Sequence, residues 1–216
     1  MSVDEEKRAV AERAAELVES GMRVGLGTGT TVAFLLEALG HLKPDARFVA
    51  TSPQTEAVAR QLGLRVESFG EIDTLDLAID GADQIAPDGW LVKGRGGAHQ
   101  REKIVAGAAR RFVVIADSTK PVTSLHAPVP LELSAFGLAS TLRHLETARV
   151  RDAPPSPDGG VLADFLGEFS DPMELAQRLS STPGVVAHGL FAPSLVTEII
   201  VATGKTVSVS VPGGSR

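Results

Sequence analysis

The first 120 residues alternate between short apolar runs and stretches with helical spacing. Val10, Ala14, Leu17 and Val18 recur at helical spacing, which predicts an amphipathic helix over residues 4–20 that Gly21 closes. Further predicted strands cover about residues 22–26, 47–50, 64–67, 75–79 and 112–116, and further predicted helices cover about 32–39, 53–62 and 100–110. Alternating strands and helices favour a parallel sheet that is covered by helices on both faces.

The pattern changes after Lys120. Residues 121–130 contain three prolines, which favours a hinge. Beyond it, strands are predicted near 129–133, 148–151, 161–165 and 185–190, with helices near 138–146 and 172–180. This order is the split βαβ arrangement. Residues 195–202 and 206–211 then predict a final hairpin.

Composition narrows the classes of protein that fit. The chain has 216 residues, enough for one to two domains, and a net charge of -6, which disfavours a nucleic-acid partner. It has no cysteine, which excludes a disulfide scaffold, an iron–sulfur site and a thiol nucleophile. The sequence contains no run of about eighteen apolar residues, so no membrane span is predicted. The charged first residues lack the apolar core of a signal peptide, so we expect a cytoplasmic protein.

A glycine-rich segment, Gly25-Leu-Gly-Thr-Gly-Thr-Thr31, separates a predicted strand from a predicted helix. Glycines at such a position let backbone N–H groups approach an anion at the helix N-terminus, and the threonine hydroxyls add donors. The segment is not a dinucleotide fingerprint, because Thr30 stands where the third glycine would be, and it lacks the lysine of a P-loop. It indicates either a phosphate or carboxylate site, or a tight turn with capping threonines.

Three other polar loops also follow predicted strands. They contain Asp80 and Asp83 in DGAD, Lys93 and Glu102 in KGRGGAHQREK, and Lys120 in ADSTK. In an open parallel sheet, loops at the carboxyl ends of the strands share one rim, where ligands bind. Each loop taken alone also fits an ordinary turn or a solvated charged segment. Together they suit a small phosphorylated polyol and proton transfer through an enediolate.

No metal site is predicted, because none of the five histidines forms a ligand-spaced cluster with another histidine or with carboxylates.

These motifs resemble those of the type A ribose-5-phosphate isomerase family over nearly the whole chain. The matching segments are GLGTGTT, TSPQTEAVARQLG, DGAD, KGRGGA with REKIVA, ADSTK and PGVVAHGLF. The resemblance implies an aldose–ketose isomerase that interconverts ribose 5-phosphate and ribulose 5-phosphate without a metal or other cofactor. It also implies an α/β fold: a Rossmann-like parallel-sheet domain with a smaller α+β ferredoxin-like (split βαβ) lid domain, assembled as a homodimer or homotetramer. We expect residues 1–125 plus 195–216 in the first domain and 126–194 in the second.

The resemblance also implies roles for individual residues. Glu102 is the expected catalytic base, while Asp80 and Lys93 act on the sugar and stabilise the enediolate. The loop from Thr28 to Thr31 holds the phosphate together with Lys120. The full set of implied substrate-binding residues is Lys7, Thr28, Gly29, Thr30, Thr31, Asp80, Gly81, Ala82, Asp83, Lys93, Gly94, Arg95, Gly96 and Lys120.

The sequence departs from the family pattern near the site. His99 and Gln100 stand where apolar residues are usual, and Gln84 stands where glutamate is common. These changes leave open a paralogue that acts on a related phosphosugar. Two further alternatives are another enzyme of the same fold, such as an amino-sugar-phosphate deaminase, a phosphogluconolactonase or a CoA transferase, and a phosphosugar-sensing module of a transcription regulator.

Overall fold

The computed structural model describes residues 1–212. The last four residues of the first predicted domain, 213–216, lie outside the described residues. The helices are α1 (Val3–Ala15), α2 (Thr30–Leu42), α3 (Pro53–Gln61), α4 (His99–Ala108), α5 (Leu138–Leu145) and α6 (Pro172–Ser181), with a 3-10 turn at Pro193–Leu195. The strands are β1 (Arg23–Leu26), β2 (Arg47–Ala50), β3 (Arg65–Val66), β4 (Leu77–Gly81), β5 (Gln84–Ile85), β6 (Leu91–Val92), β7 (Phe112–Asp117), β8 (Val129–Leu133), β9 (Ala148–Val150), β10 (Val161–Phe165), β11 (Val185–His188), β12 (Leu190–Phe191), β13 (Glu198–Thr203) and β14 (Thr206–Ser210).

The large sheet has seven strands in the order β14-β13-β7-β4-β1-β2-β3. All neighbouring strands are parallel except β14, which forms the predicted hairpin with β13. One core cluster contains Leu35 of α2 and Phe48 of β2, and another contains Val105 of α4 and Phe112 of β7. Helices therefore cover both faces, which is why the strands are continuous apolar runs, and the Rossmann-like prediction is confirmed.

The second sheet has four antiparallel strands in the order β11-β8-β10-β9. Helix α5 connects β8 to β9, and α6 connects β10 to β11. A separate core cluster that includes Leu131, Leu145, Ala163 and Leu179 lies under this sheet. The split βαβ arrangement predicted for this half of the chain is therefore confirmed.

A third sheet of three short strands, in the order β12-β6-β5, is absent from the sequence prediction. Each of its strands is only two residues long, too short to show a hydrophobic period. The predicted strand over residues 185–190 is in fact split into β11 and β12, which belong to different sheets. This small sheet matters for the site, because the chain enters the Lys93 loop directly from β6.

Several predicted boundaries differ from the structure by two or more residues, among them those of α1 and of the strand predicted over 195–202. Helix α1 ends at Ala15 rather than near residue 20, because the N–H groups of Leu17 and Val18 donate to carbonyls three residues back and tighten the chain into turns. The strand predicted over 195–202 begins only at Glu198, after the 3-10 turn. Within the described residues, no helix is both long and apolar enough to cross a membrane.

Candidate active site

A cavity of about 440 Å³ lies at the carboxyl ends of β1 and β4. The residues that line it are Lys7, Thr28, Gly29, Thr30, Thr31, Gly81, Ala82, Asp83, Lys93, Gly94, Arg95, Gly96, Glu102 and Lys120. The structure thus brings together Glu102 and the whole substrate-binding set implied by the resemblance, with one difference. Asp80 does not line the cavity but lies buried against Lys93.

The cavity is bordered by a buried cluster of Asp80, Lys93 and Glu102. The ammonium nitrogen Nζ of Lys93 lies 2.8 Å from Asp80 Oδ2 and 3.2 Å from Glu102 Oε2. All three residues are at most 3% exposed. One buried cation thus faces two carboxyl groups. Because charges interact more strongly away from water, each of the three groups affects the pKa of the other two.

Asp80 is held rigidly at the end of β4. Its Oδ1 accepts hydrogen bonds from the backbone N–H of Thr28, at 3.2 Å, and of Gly81, at 2.7 Å. Burial raises the pKa of this carboxyl group, and the neighbouring Lys93 opposes the rise. Asp80 therefore fixes two things at once, the start of the threonine loop and the position of the lysine.

Lys93 is placed by its backbone as well as by its carboxylate partners. It follows β6, its N–H donates to Gly189 O at 2.8 Å, and its Nζ also donates to Gly81 O. Burial by itself would lower the pKa of Lys93, but Asp80 and Glu102 outweigh burial and hold the pKa above its ordinary value. The side chain is therefore a fixed positive charge at the edge of the cavity.

Glu102 lies in the first turn of α4, directly after the glycine loop. Burial and then the nearby Asp80 raise its pKa, Lys93 opposes the rise, and the net result is a pKa of about 8. A carboxyl group that titrates close to neutral pH is suited to take up and return a proton. Its side chain also faces the cavity, as a base that acts on a bound substrate must.

The loop from Thr28 to Thr31 leads into the N-terminus of α2. Gly29 adopts φ 123°, a conformation that favours glycine, and α2 begins at Thr30. The free N–H groups of the first helical turn, together with the helix dipole, favour an anion at this point. The glycine-rich segment therefore has the geometry of an anion site.

Sequence analysis missed the residues that support this loop. The Thr28 hydroxyl lies 2.9 Å from the Thr51 hydroxyl, and the Thr55 hydroxyl donates to Gly27 O at 3.0 Å. Ser52 caps α3, since its Oγ accepts from Thr55 N. The cluster of hydroxyl residues at 51–55 was the available signal.

Two lysines reach the cavity from separate elements. Lys7 comes from α1, and Lys120 comes from the turn after β7. Glu6, which the sequence analysis did not single out, joins these elements: its carboxylate accepts from Ser118 N, from Ser118 Oγ and from Gly204 N. Glu6 is 5% exposed and thus buried, although it lies in a run of charged residues that looks like a solvated surface.

The residues that depart from the family pattern lie behind the cavity wall. His99 is fully buried against Gly94, and burial followed by the charges of Lys103 and Arg151 lowers its pKa to about 3. The Gln100 amide, oriented with its nitrogen toward Glu132, donates to the two Glu132 oxygens at 2.9 and 3.2 Å.

Gln84 is tied to the chain at residue 126. Its side-chain oxygen accepts from the backbone N–H of His126, and its side-chain nitrogen donates to the His126 carbonyl, both at 2.9 Å. Like His99 and Gln100, it does not line the cavity. A shift in substrate preference caused by these three residues stays a prediction.

Over the described residues, no group of three or more histidine, aspartate or glutamate side chains has the geometry of a metal site.

Fold and site together define an α/β enzyme in which a loop with the geometry of an anion site faces a buried acid–lysine–acid cluster. Residues 47–206 match the family model described as ribose 5-phosphate isomerase A (phosphoriboisomerase A). The chain belongs to this family and is an isomerase.

The similarity extends over the whole chain. The ribose-5-phosphate isomerase A of Rhodopseudomonas palustris is 43% identical, over 94% of this chain and 96% of its own length. That of Caulobacter vibrioides is 44% identical, over 96% and 98%. The crystal structure of the Neisseria gonorrhoeae enzyme superposes with a TM-score of 0.94 at 32% identity, covering 99% of both chains. Another D-ribose-5-phosphate isomerase, solved in complex with phospho-erythronic acid, gives a TM-score of 0.91 at 32% identity, over 98% of this chain and all of its own.

Proposed function

We propose that this chain interconverts D-ribose 5-phosphate and D-ribulose 5-phosphate by proton transfer through an enediolate, without a metal or an organic cofactor. The observation that carries the proposal is the contact of Lys93 with both Asp80 and Glu102 beside the anion-binding loop. A cavity of about 440 Å³ is in the range of small-molecule sites, about 300–1,000 Å³.

The phosphate group binds at the N-terminus of α2. Backbone N–H groups and hydroxyls of the loop Thr28–Thr31 donate to its oxygens, and Lys120 and Lys7 supply positive charge from the facing elements. This end of the substrate takes no part in the chemistry. Its binding energy instead holds the reacting carbons in place next to Glu102.

Glu102 transfers the proton. In the open-chain aldose, its carboxylate removes the proton from carbon 2, and the electron pair moves to the carbonyl oxygen to form the enediolate. The hydroxyl proton on the carbon 2 oxygen passes to the carbon 1 oxygen, and the protonated Glu102 returns its proton to carbon 1, which yields the ketose. Lys93 stabilises the oxygen on which negative charge develops, because its ammonium is already fixed and needs no reorganisation during the reaction. This buried cation supplies the charge stabilisation, so the proposal requires no metal ion.

The remaining parts of the substrate-binding set contact the sugar hydroxyls. Asp83 lines the cavity, and its Oδ2 accepts the N–H of Arg95 at 3.0 Å, which ties it to the glycine loop. Asp80 keeps Lys93 charged and in place. Gly81, Ala82, Gly94, Arg95 and Gly96 complete the wall around the sugar.

We further propose a cytoplasmic homodimer or homotetramer, with residues 1–125 plus 195–216 as the catalytic domain and 126–194 as the smaller lid domain. The core cluster under the four-stranded sheet supports this division, and it also takes in Ala86, Trp90, Val92 and Leu125 from the first segment. Light scattering of the purified protein measures the oligomeric state, and a monomer at micromolar concentration would contradict this part of the proposal.

The test of function is turnover with a panel of phosphorylated aldoses and free ribose, in the presence of a chelator. We expect a ketose from ribose 5-phosphate and a far lower kcat/KM for free ribose, which lacks the group that the loop holds. Preference for another phosphosugar would support a paralogue instead. A thermal shift with ribose 5-phosphate but no ketose would support a sensing module.

A further inference from the structure

Arg151, which directly follows β9 of the four-stranded sheet, contacts the wall of the cavity from outside. Its Nε and Nη2 form a paired contact with Asp164, at 2.9 Å to Oδ2 and 2.6 Å to Oδ1. Its remaining nitrogen Nη1 donates to Gly94 O at 3.2 Å and to Arg95 O at 3.1 Å. Arg151 does not itself line the cavity, and these two carbonyl groups are its hydrogen-bond contacts with the cavity wall.

The geometry of the peptide bond gives this contact a consequence inside the cavity. In a planar trans peptide, the C=O of one residue and the N–H of the next point in opposite directions. Fixing the Gly94 carbonyl on Arg151 turns the Arg95 N–H the other way, where it donates to Asp83 Oδ2 at 3.0 Å. Fixing the Arg95 carbonyl directs the Gly96 N–H away from Arg151 in the same manner.

The Gly96 N–H is available for a ligand. Among residues 1–212 it makes no hydrogen bond, whereas the N–H groups of Arg95 and Gly97 on either side are both satisfied. Gly96 lines the cavity, between Lys93 and Glu102 in the chain. Gly94 adopts φ +100° and packs so closely against His99 that a side chain at this position would collide with the histidine.

We propose that Arg151 is a positioning residue of the isomerase, which orients the Arg95–Gly96 peptide so that its N–H donates to a sugar oxygen that gains negative charge in the enediolate. Asp164 in turn orients the Arg151 guanidinium. This inference deepens the proposed function and rests on it. A donor fixed before the reaction stabilises the developing charge without reorganisation.

The test compares Arg151→Met, Asp164→Asn and the double variant with the wild type. The methionine keeps an apolar stem and removes all donors. We expect Arg151→Met to lower kcat/KM for ribose 5-phosphate by about 10- to 100-fold, mostly in kcat, as a small misplacement of a site group does. Asp164→Asn should give a smaller loss of the same kind. The double variant should be no worse than Arg151→Met, because both changes act through one contact.

Binding measurements separate this role from general loosening of the fold. Phospho-erythronic acid carries a carboxylate in place of the carbonyl end of the sugar, so Arg151→Met should weaken its binding by a factor similar to the loss in kcat/KM. The affinity for inorganic phosphate, which probes only the loop at Thr28–Thr31, should not change. Arg149→Met is the matched control, since Arg149 lies in β9, two residues before Arg151, and among the described residues its side chain donates only to Glu146 O and Ala148 O.

Equal weakening of phosphate and phospho-erythronic acid would overturn the proposal, as would losses that simply add in the double variant. If Arg151→Met does not fold, Asp164→Asn decides the question by the same two binding measurements, and an unchanged affinity for phospho-erythronic acid rejects the role. A wild-type protein that does not turn over ribose 5-phosphate would instead reject the proposed function itself.

Discussion

Gly27 lies directly against the carboxyl group of Asp80. A side-chain carbon on Gly27 would overlap Asp80 Oδ1 and Cγ, although the backbone of Gly27 has an ordinary conformation. The glycine is therefore required for close approach rather than for a turn. It lets the anion-binding loop and the acid–lysine–acid cluster share one wall, since the same Asp80 oxygen accepts the Thr28 N–H.

Gly27→Ala should reduce activity by displacing Asp80 and, with it, Lys93. An added methyl group in a packed site typically costs about 1–3 kcal/mol of stability, and the resulting shift of catalytic groups can lower kcat by about 100-fold. Steady-state kinetics and thermal unfolding measure the two effects. Gly70→Ala is the control, because a side-chain carbon there would meet only ordinary van der Waals contact with Ser68. Equal activity of the two variants would contradict the role of Gly27.

Glu102→Gln should abolish proton transfer while substrate still binds. The change keeps the size of the side chain and removes the base, so kcat should fall by roughly 100- to 10,000-fold. The measurement is exchange of the carbon 2 proton of ribose 5-phosphate in deuterated water, followed by NMR. Exchange at the wild-type rate would show that another group is the base, and Asp80 or Asp83 would be examined first.

The activity should rise with pH through about 8. Burial raises the pKa of Glu102 to about 8, so only about a tenth of the free enzyme holds the ionised base at pH 7. A plot of kcat/KM against pH reports groups of the free enzyme and should therefore show a rising limb near 8. Lys120→Ala should be less active but keep this limb. A profile that is flat between pH 7 and 9 would mean that Glu102 is ionised by neutral pH.

The same pKa predicts how stability depends on pH. The pKa of Glu102 is higher in the folded protein than its ordinary value of 4.5, so its contribution to stability is complete below about 4.5 and is lost as pH rises through about 8. Glutamine does not titrate. Urea unfolding at pH 5 and pH 9 should therefore show Glu102→Gln gaining stability relative to the wild type at the higher pH. A constant difference between the two proteins would contradict the raised pKa.

Lys120→Ala should weaken recognition of the substrate phosphate group and so lower kcat/KM for ribose 5-phosphate. A charge-assisted hydrogen bond to phosphate contributes about 1.5–3 kcal/mol, which corresponds to a loss of about 10- to 100-fold in kcat/KM. Activity on free ribose should not fall, because the lysine has no other proposed contact with substrate. Lys205→Ala, in the exposed turn between β13 and β14, is the control. An equal loss on both substrates would show that Lys120 supports the fold rather than the phosphate.

Much of the architecture could be predicted because local patterns determine it. The alternation of apolar strands and amphipathic helices indicated the parallel sheet, and the order of elements after residue 126 indicated the split βαβ unit. Since carboxyl ends of parallel strands meet on one rim, the sequence alone predicts that the polar loops at Thr28, Asp80 and Lys120 lie together. Backbone geometry and hydrophobic periodicity act over a few residues, so they can be read from the chain itself.

The tertiary structure alone decided how these groups contact one another. Glu6 binds Ser118 across 112 positions, and Arg151 reaches Gly94 across 57, yet neither contact leaves a periodic trace in the sequence. The raised pKa of Glu102 depends on its burial beside Asp80 and Lys93, which only the packed fold provides. Charged residues on a helix look alike in a sequence whether they face water or a buried partner. Packing against distant elements determines which of them do chemistry.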